Sequence, residues 1–270
     1  MVGRILKKIY LYLIFLFLYA PIAVLVIQSF NASKSRGRWG GFTLKWYEEL
    51  FRDREIASAL YNTLLIAVIS SIVATVVGTA AALGIYNMKK IKKTIIMNLT
   101  YLPVLNPDIV TGVSLMLLFV FMKGFTGIGL GFFTMLLSHI TFNIPYVILS
   151  VLPKLKQLDK NIYEAALDLG ATPFYAVRKV IIPEIAPGIL TGFLLAFTLS
   201  IDDFIISFFT TGSGVSNLAI YVYSMARRGI NPKINALSTL MFLTVLILLL
   251  IVNKRMQKDD NKPQVKESVR

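Results

Sequence analysis

Six stretches of about 20 apolar residues, each long enough to cross a bilayer as a helix, constrain this chain more than any other feature. They lie near Ile9–Ser29, Asn62–Tyr86, Leu99–Phe121, Leu130–Leu152, Ile185–Phe209 and Ile234–Asn253. The expected fold is an all-α membrane protein with six transmembrane helices in one polytopic domain. Composition agrees: 56% of the residues are hydrophobic and mean hydropathy is +0.70, against roughly 45–50% apolar in a soluble domain. The first run is expected to be a retained span, because no small-x-small cleavage site closely follows it. Residues 1–253 are read as the transmembrane domain and 254–270 as a polar, charged tail.

A net charge of +14 would suit nucleic acid, but its placement argues against that partner. All 28 Lys and Arg residues lie outside the six runs or at their edges. Arg4, Lys7 and Lys8 precede the first run, and Lys89, Lys90, Lys92 and Lys93 crowd the second loop. Lys154, Lys156, Lys160, Arg178 and Lys179 lie in the fourth loop, and six more basic residues follow the last run. One side of the membrane thus carries 18 basic residues and the other 10. The positive-inside rule puts both termini and the 153–183 loop in the cytoplasm.

Several chemistries are missing. The chain has no cysteine, which removes disulfides and thiolate metal sites. No phosphate-binding GxxxxGK[ST] run occurs, and the single histidine, His139, rules out HExxH. Gly124, Gly127, Gly129 and Gly131 form a turn between two spans with no preceding strand, not a phosphate loop. The first external loop, Phe30 to Tyr61, contains both tryptophans. There Thr43 is expected to cap a short interfacial helix through Phe51, with Trp46, Tyr47, Leu50 and Phe51 on one apolar face.

The fourth loop reads as a mechanical part. Asp159 or Asn161 is placed to cap a helix carrying Glu164, Ala165, Ala166 and Asp168. The alanines favour helix and add almost no bulk, which allows close approach to another surface. Gly170 supplies a left-handed stop, and Thr172-Pro173 restarts a second helix expected to end where Pro183 breaks it. The full run Glu164-Ala165-Ala166, three residues, Gly170, nine residues, Val180, one residue, Ile182-Pro183 resembles the cytoplasmic coupling loop of ABC-importer permeases. Val180 and Ile182 stand where that pattern has Ile and Leu. The resemblance implies a helix laid into a groove on a cytosolic ATPase.

Three carboxylates, Asp108, Asp202 and Asp203, fall inside the apolar runs, where no Lys or Arg is present. A mid-span carboxylate costs about 2.5–3.5 kcal/mol on insertion scales, so lipid-facing positions are disfavoured. Asp108 follows Asn106-Pro107, which is suited to start a half-helix inside a broken span. Stabilisation by the helix dipole, about 0.3–1 kcal/mol, does not offset the insertion cost. Adjacent helical residues diverge by about 100°, so Asp202 and Asp203 do not line one narrow path equally. Cargo contact, proton handling and structural pairing all remain open to these residues. Tyr101, Thr198, Ser200 and Phe204 are further path candidates, and His139 is expected to be a hydrogen-bonded interior residue.

Pro107-Asp108-Ile109-Val110, Ser138-His139-Ile140-Thr141-Phe142 and Phe197-Thr198-Leu199-Ser200-Ile201-Asp202-Asp203-Phe204 narrow the likeness. They resemble the spermidine/putrescine importer permeases, specifically the second of their two permease subunits. That resemblance implies a type I importer (MetI-like) architecture in the bacterial inner membrane and no catalytic activity in this chain. It implies a heterodimeric permease, two cytosolic ATPase subunits using ATP and magnesium, and an extracytoplasmic polyamine-binding protein. The chain itself would hold no cofactor, with Asp108, Asp202, Asp203 and Tyr101 on the substrate path. The rival readings are an ABC permease for another small solute and a proton-coupled secondary cation transporter.

Overall fold

The computed structural model describes residues 2–34, 37–159, 161–228 and 232–260. Among them the order of helices is α1 (Val2–Ser29), α2 (Lys45–Phe51), α3 (Arg54–Tyr86), α4 (Lys90–Leu105), α5 (Asp108–Thr126) and α6 (Phe132–Gln157). It continues with α7 (Asn161–Asp168), α8 (Pro173–Ala176), a π-helical turn (Val177–Ile181), α9 (Ile182–Asp202), α10 (Ile205–Thr210), α11 (Leu218–Arg228) and α12 (Pro232–Asp260). Among the described residues five helices are long and apolar enough to cross a membrane: Leu6–Ser29, Arg54–Tyr86, Asp108–Thr126, Phe132–Gln157 and the continuous Pro173–Asp202. The sixth expected run falls in α12, whose Pro232–Ile247 stretch is a shorter apolar helix. Helix persists to Asp260, so the expected tail begins as a continuation of α12.

Two compact units result, Met1–Ala57 with Val222–Arg270, and Ser58–Tyr221. In the first, α1 and α2 pack on α12. Asn31, almost fully buried, organises the loop after α1. Its Nδ2 donates to Gln28 Oε1 at 2.8 Å and to the Arg38 carbonyl at 2.9 Å. Its Oδ1 accepts the N–H groups of Ser33 and Gly40. The Asn31 carbonyl accepts the Trp46 indole N–H at 2.7 Å. Trp46 and Leu50 are therefore spent inside the unit, whereas Phe51 and Trp39 are exposed. The expected single apolar face of α2 is split, because Asn31 offers Trp46 a buried acceptor. The N-cap of α2 is Leu44, without a side-chain cap, and not the expected Thr43, which stands one residue earlier and accepts the Lys45 N–H at 3.2 Å. Lys233 of α12 sits 3.5 Å from both Glu49 and Asp53.

In the second unit α6 is the central post. Its packing partners fix an antiparallel register with α9: Asn143 meets Ser200, Val147 meets Gly192, and Lys154 meets Gly188. Val147 also touches Gly78 of α3. A Cβ on Gly78 would lie 2.7 Å from the Val147 Cβ, and one on Gly192 would lie 3.2 Å from its Cα. Two glycines thus let three helices close around one valine, the small-residue packing that replaces the hydrophobic drive in lipid. Around it lie buried Ala74, Ala82, Ile148, Val151, Leu155 and Ile185.

Two of the expected spans are broken. The third is interrupted at Asn106, whose extended ψ of 143° is what a residue before proline favours. The fifth is not one helix to Phe209: α9 ends at Asp202 and a short α10 follows. Pro183, by contrast, does not end a helix. The chain runs unbroken from Pro173 to Asp202, with the Ile182 N–H reaching back five residues to the Val177 carbonyl. A π turn accommodates the proline ring that would clash with the carbonyl four residues back in a regular α-helix.

Candidate functional site

The α7–α8 segment is built as a closed corner. Asp159, not Asn161, does the capping: its Oδ1 accepts the Asn161 N–H at 2.9 Å. At the other end the Ala171 N–H reaches the Ala166 carbonyl at 3.1 Å and the Gly170 N–H reaches Leu167 at 2.9 Å. This is a Schellman closure, and it requires the positive φ of +86° at Gly170. Thr172 then caps α8 through the Tyr175 N–H, with Pro173 at the first helical position. Glu164, Ala165, Asp168 and Gly170 are exposed, and Ala166 is half-buried. Leu169 at 90% and Phe174 at 75% exposure are apolar side chains left uncovered on a rigid corner. Beneath α7, Tyr86, Asn87, Leu155, Tyr163, Glu164 and Ile181 line a cleft of about 400 Å³. Lys93 closes the nearby α3–α4 turn, donating to the Tyr86 carbonyl at 3.1 Å and lying over its ring.

The intramembrane carboxylates have separate fates. Asp108 opens α5 and is exposed, as are Tyr101 on α4 and Asp202 at the end of α9. Along the chain Asp108 follows the break at Asn106-Pro107 and Asp202 precedes the break at Asp203. Neither enters a salt bridge among the described residues.

Asp203 is nearly buried, with its carboxylate 3.5 Å from His139 Nε2. His139 also meets Ser207 Oγ at 2.9 Å, as expected of an interior histidine. Ser200, a path candidate from sequence, is buried instead: its Oγ joins Ser70 of α3 at 3.0 Å and accepts from Asn143 Nδ2 at 2.8 Å. Thr198 bonds back to the Leu194 carbonyl of its own helix. Sequence reading missed Asn143, Ser207 and Asn217. A lone Asn inside an apolar run, as at 143, was the available signal, since intramembrane amides act as interhelical glue.

Interrupted spans and a capped helical corner between two of them are features shared with solved transport proteins. A bacterial ABC transporter involved in the import of the acidic polysaccharide alginate shares this fold, with a TM-score of 0.72 over 95% of this chain and 94% of that one at 16% identity. The MetNI methionine ABC transporter, in an inward-facing conformation, gives 0.61 over 80% of this chain and 99% of that one at 19% identity. The family described as binding-protein-dependent transport system inner membrane component matches residues 74–258, and the chain belongs to that family. It is therefore a transport component and not an enzyme. Among its relatives is the spermidine/putrescine transport system permease protein PotC of Escherichia coli (strain K12), 37% identical over 97% of both chains. The putrescine transport system permease protein PotI of the same organism is 42% identical over 84% of this chain and 82% of its own. A PotC homolog of Mycoplasma genitalium is 30% identical over 97% of this chain and 95% of its own.

Proposed function

We propose that this chain is one half of a heterodimeric polyamine permease with both termini in the cytoplasm. It imports spermidine or putrescine by alternating access, using ATP and magnesium bound by two separate ATPase subunits and cargo delivered by an extracytoplasmic binding protein. The chain itself holds no cofactor. The observation that carries the cargo reading is the pair of exposed carboxylates, Asp108 and Asp202, at the ends of interrupted helices, within apolar runs (99–121 and 185–209) that hold no Lys or Arg. An acidic path without intramembrane bases suits a polycation, and the printed names of the relatives agree with it. Tyr101, exposed near the same break, adds a ring face for an ammonium.

The α7–α8 corner receives the ATPase stroke. Leu169 and Phe174 give it an apolar contact, Ala165 and Ala166 permit close approach, and Glu164 fixes orientation. The Schellman closure makes the corner stiff, and the continuous Pro173–Asp202 helix carries its displacement toward Asp202. Competition with labelled spermidine uptake tests the cargo class. Putrescine and spermine should compete, while iron salts, amino acids and oxyanions should not. Competition by one of the latter and none by polyamines would reassign the permease to another solute.

A further inference from the structure

The junction between α9 and α10 is pinned by buried side chains from three elements. Asp203 leaves α9 in extended backbone, φ −63° and ψ 123°. Its carboxylate turns over the start of α10, Oδ1 accepting the Ile206 N–H at 3.1 Å and Oδ2 the Ser207 N–H at 2.8 Å. His139 of α6 stands 3.5 Å from the same Oδ2, and the two side chains are only 2% and 8% exposed. From the far side, Asn217 Nδ2 donates to Ser207 Oγ at 2.8 Å and to the Asp203 carbonyl at 3.3 Å. Asn217 in turn accepts the Ile220 N–H at the start of α11.

Each oxygen of this carboxylate already holds a backbone donor, His139 stands beside Oδ2, and the side chain is only 8% exposed. Little of it is left open to an ammonium. Asp202, one residue earlier, is exposed. Its direction is set by where the backbone turns immediately after it. We infer that Asp203 is a positioning residue and not a cargo ligand: with His139, Ser207 and Asn217 it locks the break that holds the Asp202 carboxylate outward. The inference rests on the reading of Asp202 as a cargo contact.

The assembled transporter in lipid tests it by two readouts: labelled spermidine uptake against concentration, and hydrogen–deuterium exchange over residues 203–211. Asparagine keeps one of the two acceptor oxygens and carries no charge. Asp203→Asn should therefore keep the half-saturation concentration within twofold of wild type and speed exchange less than Asp203→Ala does. Asp203→Ala should lower maximal uptake at least tenfold and speed exchange at residues 206 and 207. Asp202→Asn should raise half-saturation at least tenfold with exchange unchanged. The inference is overturned if Asp203→Asn raises half-saturation as much as Asp202→Asn does while exchange stays slower than in Asp203→Ala. It is equally overturned if Asp203→Ala leaves exchange at wild-type rates. Wild-type half-saturation in Asp202→Asn, with both exchange results as expected, removes Asp202 from the cargo path and leaves the lock standing. Should Asp203→Ala fail to assemble, Asp203→Asn decides alone.

Discussion

Two aspartates one residue apart do opposite things here. Asp202 ends a helix in the open, while Asp203 is folded back onto backbone donors. The difference arises from the chain turning between them, since a continuous helix would only have rotated one about 100° from the other. Charge-assisted contacts are worth about 1.5–3 kcal/mol, and about 1.4 kcal/mol is a tenfold change in affinity. Asp108→Asn combined with Asp202→Asn should therefore reduce polyamine uptake at sub-saturating concentration by at least tenfold while the complex still assembles. Normal uptake by the assembled double variant contradicts the cargo role. Gly170 has a comparable dependence on its exact conformation. A side chain in the left-handed region costs about 1–2 kcal/mol, so Gly170→Val should loosen the corner and lower cargo-stimulated ATP hydrolysis several-fold. Basal hydrolysis and subunit recovery should hold, and unchanged stimulation would remove Gly170 from the coupling path.

At the scale of elements, the tightest constraint is the packing of α3, α6 and α9 around Val147. Gly192→Leu should drive side-chain atoms into the α6 backbone and lower the complex's thermal midpoint, overpacking costing about 1–3 kcal/mol. Gly78→Ala would place its Cβ 2.7 Å from the Val147 Cβ and 3.2 Å from the Ile144 carbonyl oxygen, so Val147→Gly, which removes that Cβ, should restore part of what the substitution loses. An absence of rescue would show that another contact governs the α3–α6 crossing. Much of this level was legible beforehand. Hydrophobic run length located the spans, and Asn106-Pro107 announced a break because a pre-proline residue resists helix. Asp159, Gly170 and Thr172-Pro173 announced the corner. The break at Asp203 was not legible, since it depends on His139 and Asn217, 64 and 14 residues distant in sequence. Nor was the continuity through Pro183, because a π turn leaves no local signature that separates it from a helix end. The partner of Trp46 was not legible for a similar reason: only the fold of the preceding loop brings the Asn31 carbonyl to its indole.

At the scale of the whole molecule, the basic residues encode an orientation and the corner requires it. The proposed function needs the 153–183 loop in the cytoplasm, the side that the basic residues favour. A chain with no native cysteine makes the point testable by single introduced thiols. In intact cells Leu169→Cys should resist a membrane-impermeant maleimide until the membrane is opened, whereas Thr126→Cys should react at once. The reverse pattern would invert the topology and remove the corner from any cytosolic motor. In the proposed function this chain supplies a passage and a lever while a different subunit consumes ATP. The most direct measurement is labelled spermidine uptake into proteoliposomes bearing the complete complex, and into others bearing this chain alone. The complete complex should accumulate cargo only with ATP and binding protein present, and should continue after a protonophore is added. Uptake by the isolated chain without ATP, collapsing when the proton gradient is dissipated, would contradict the claim and point to a proton-coupled carrier.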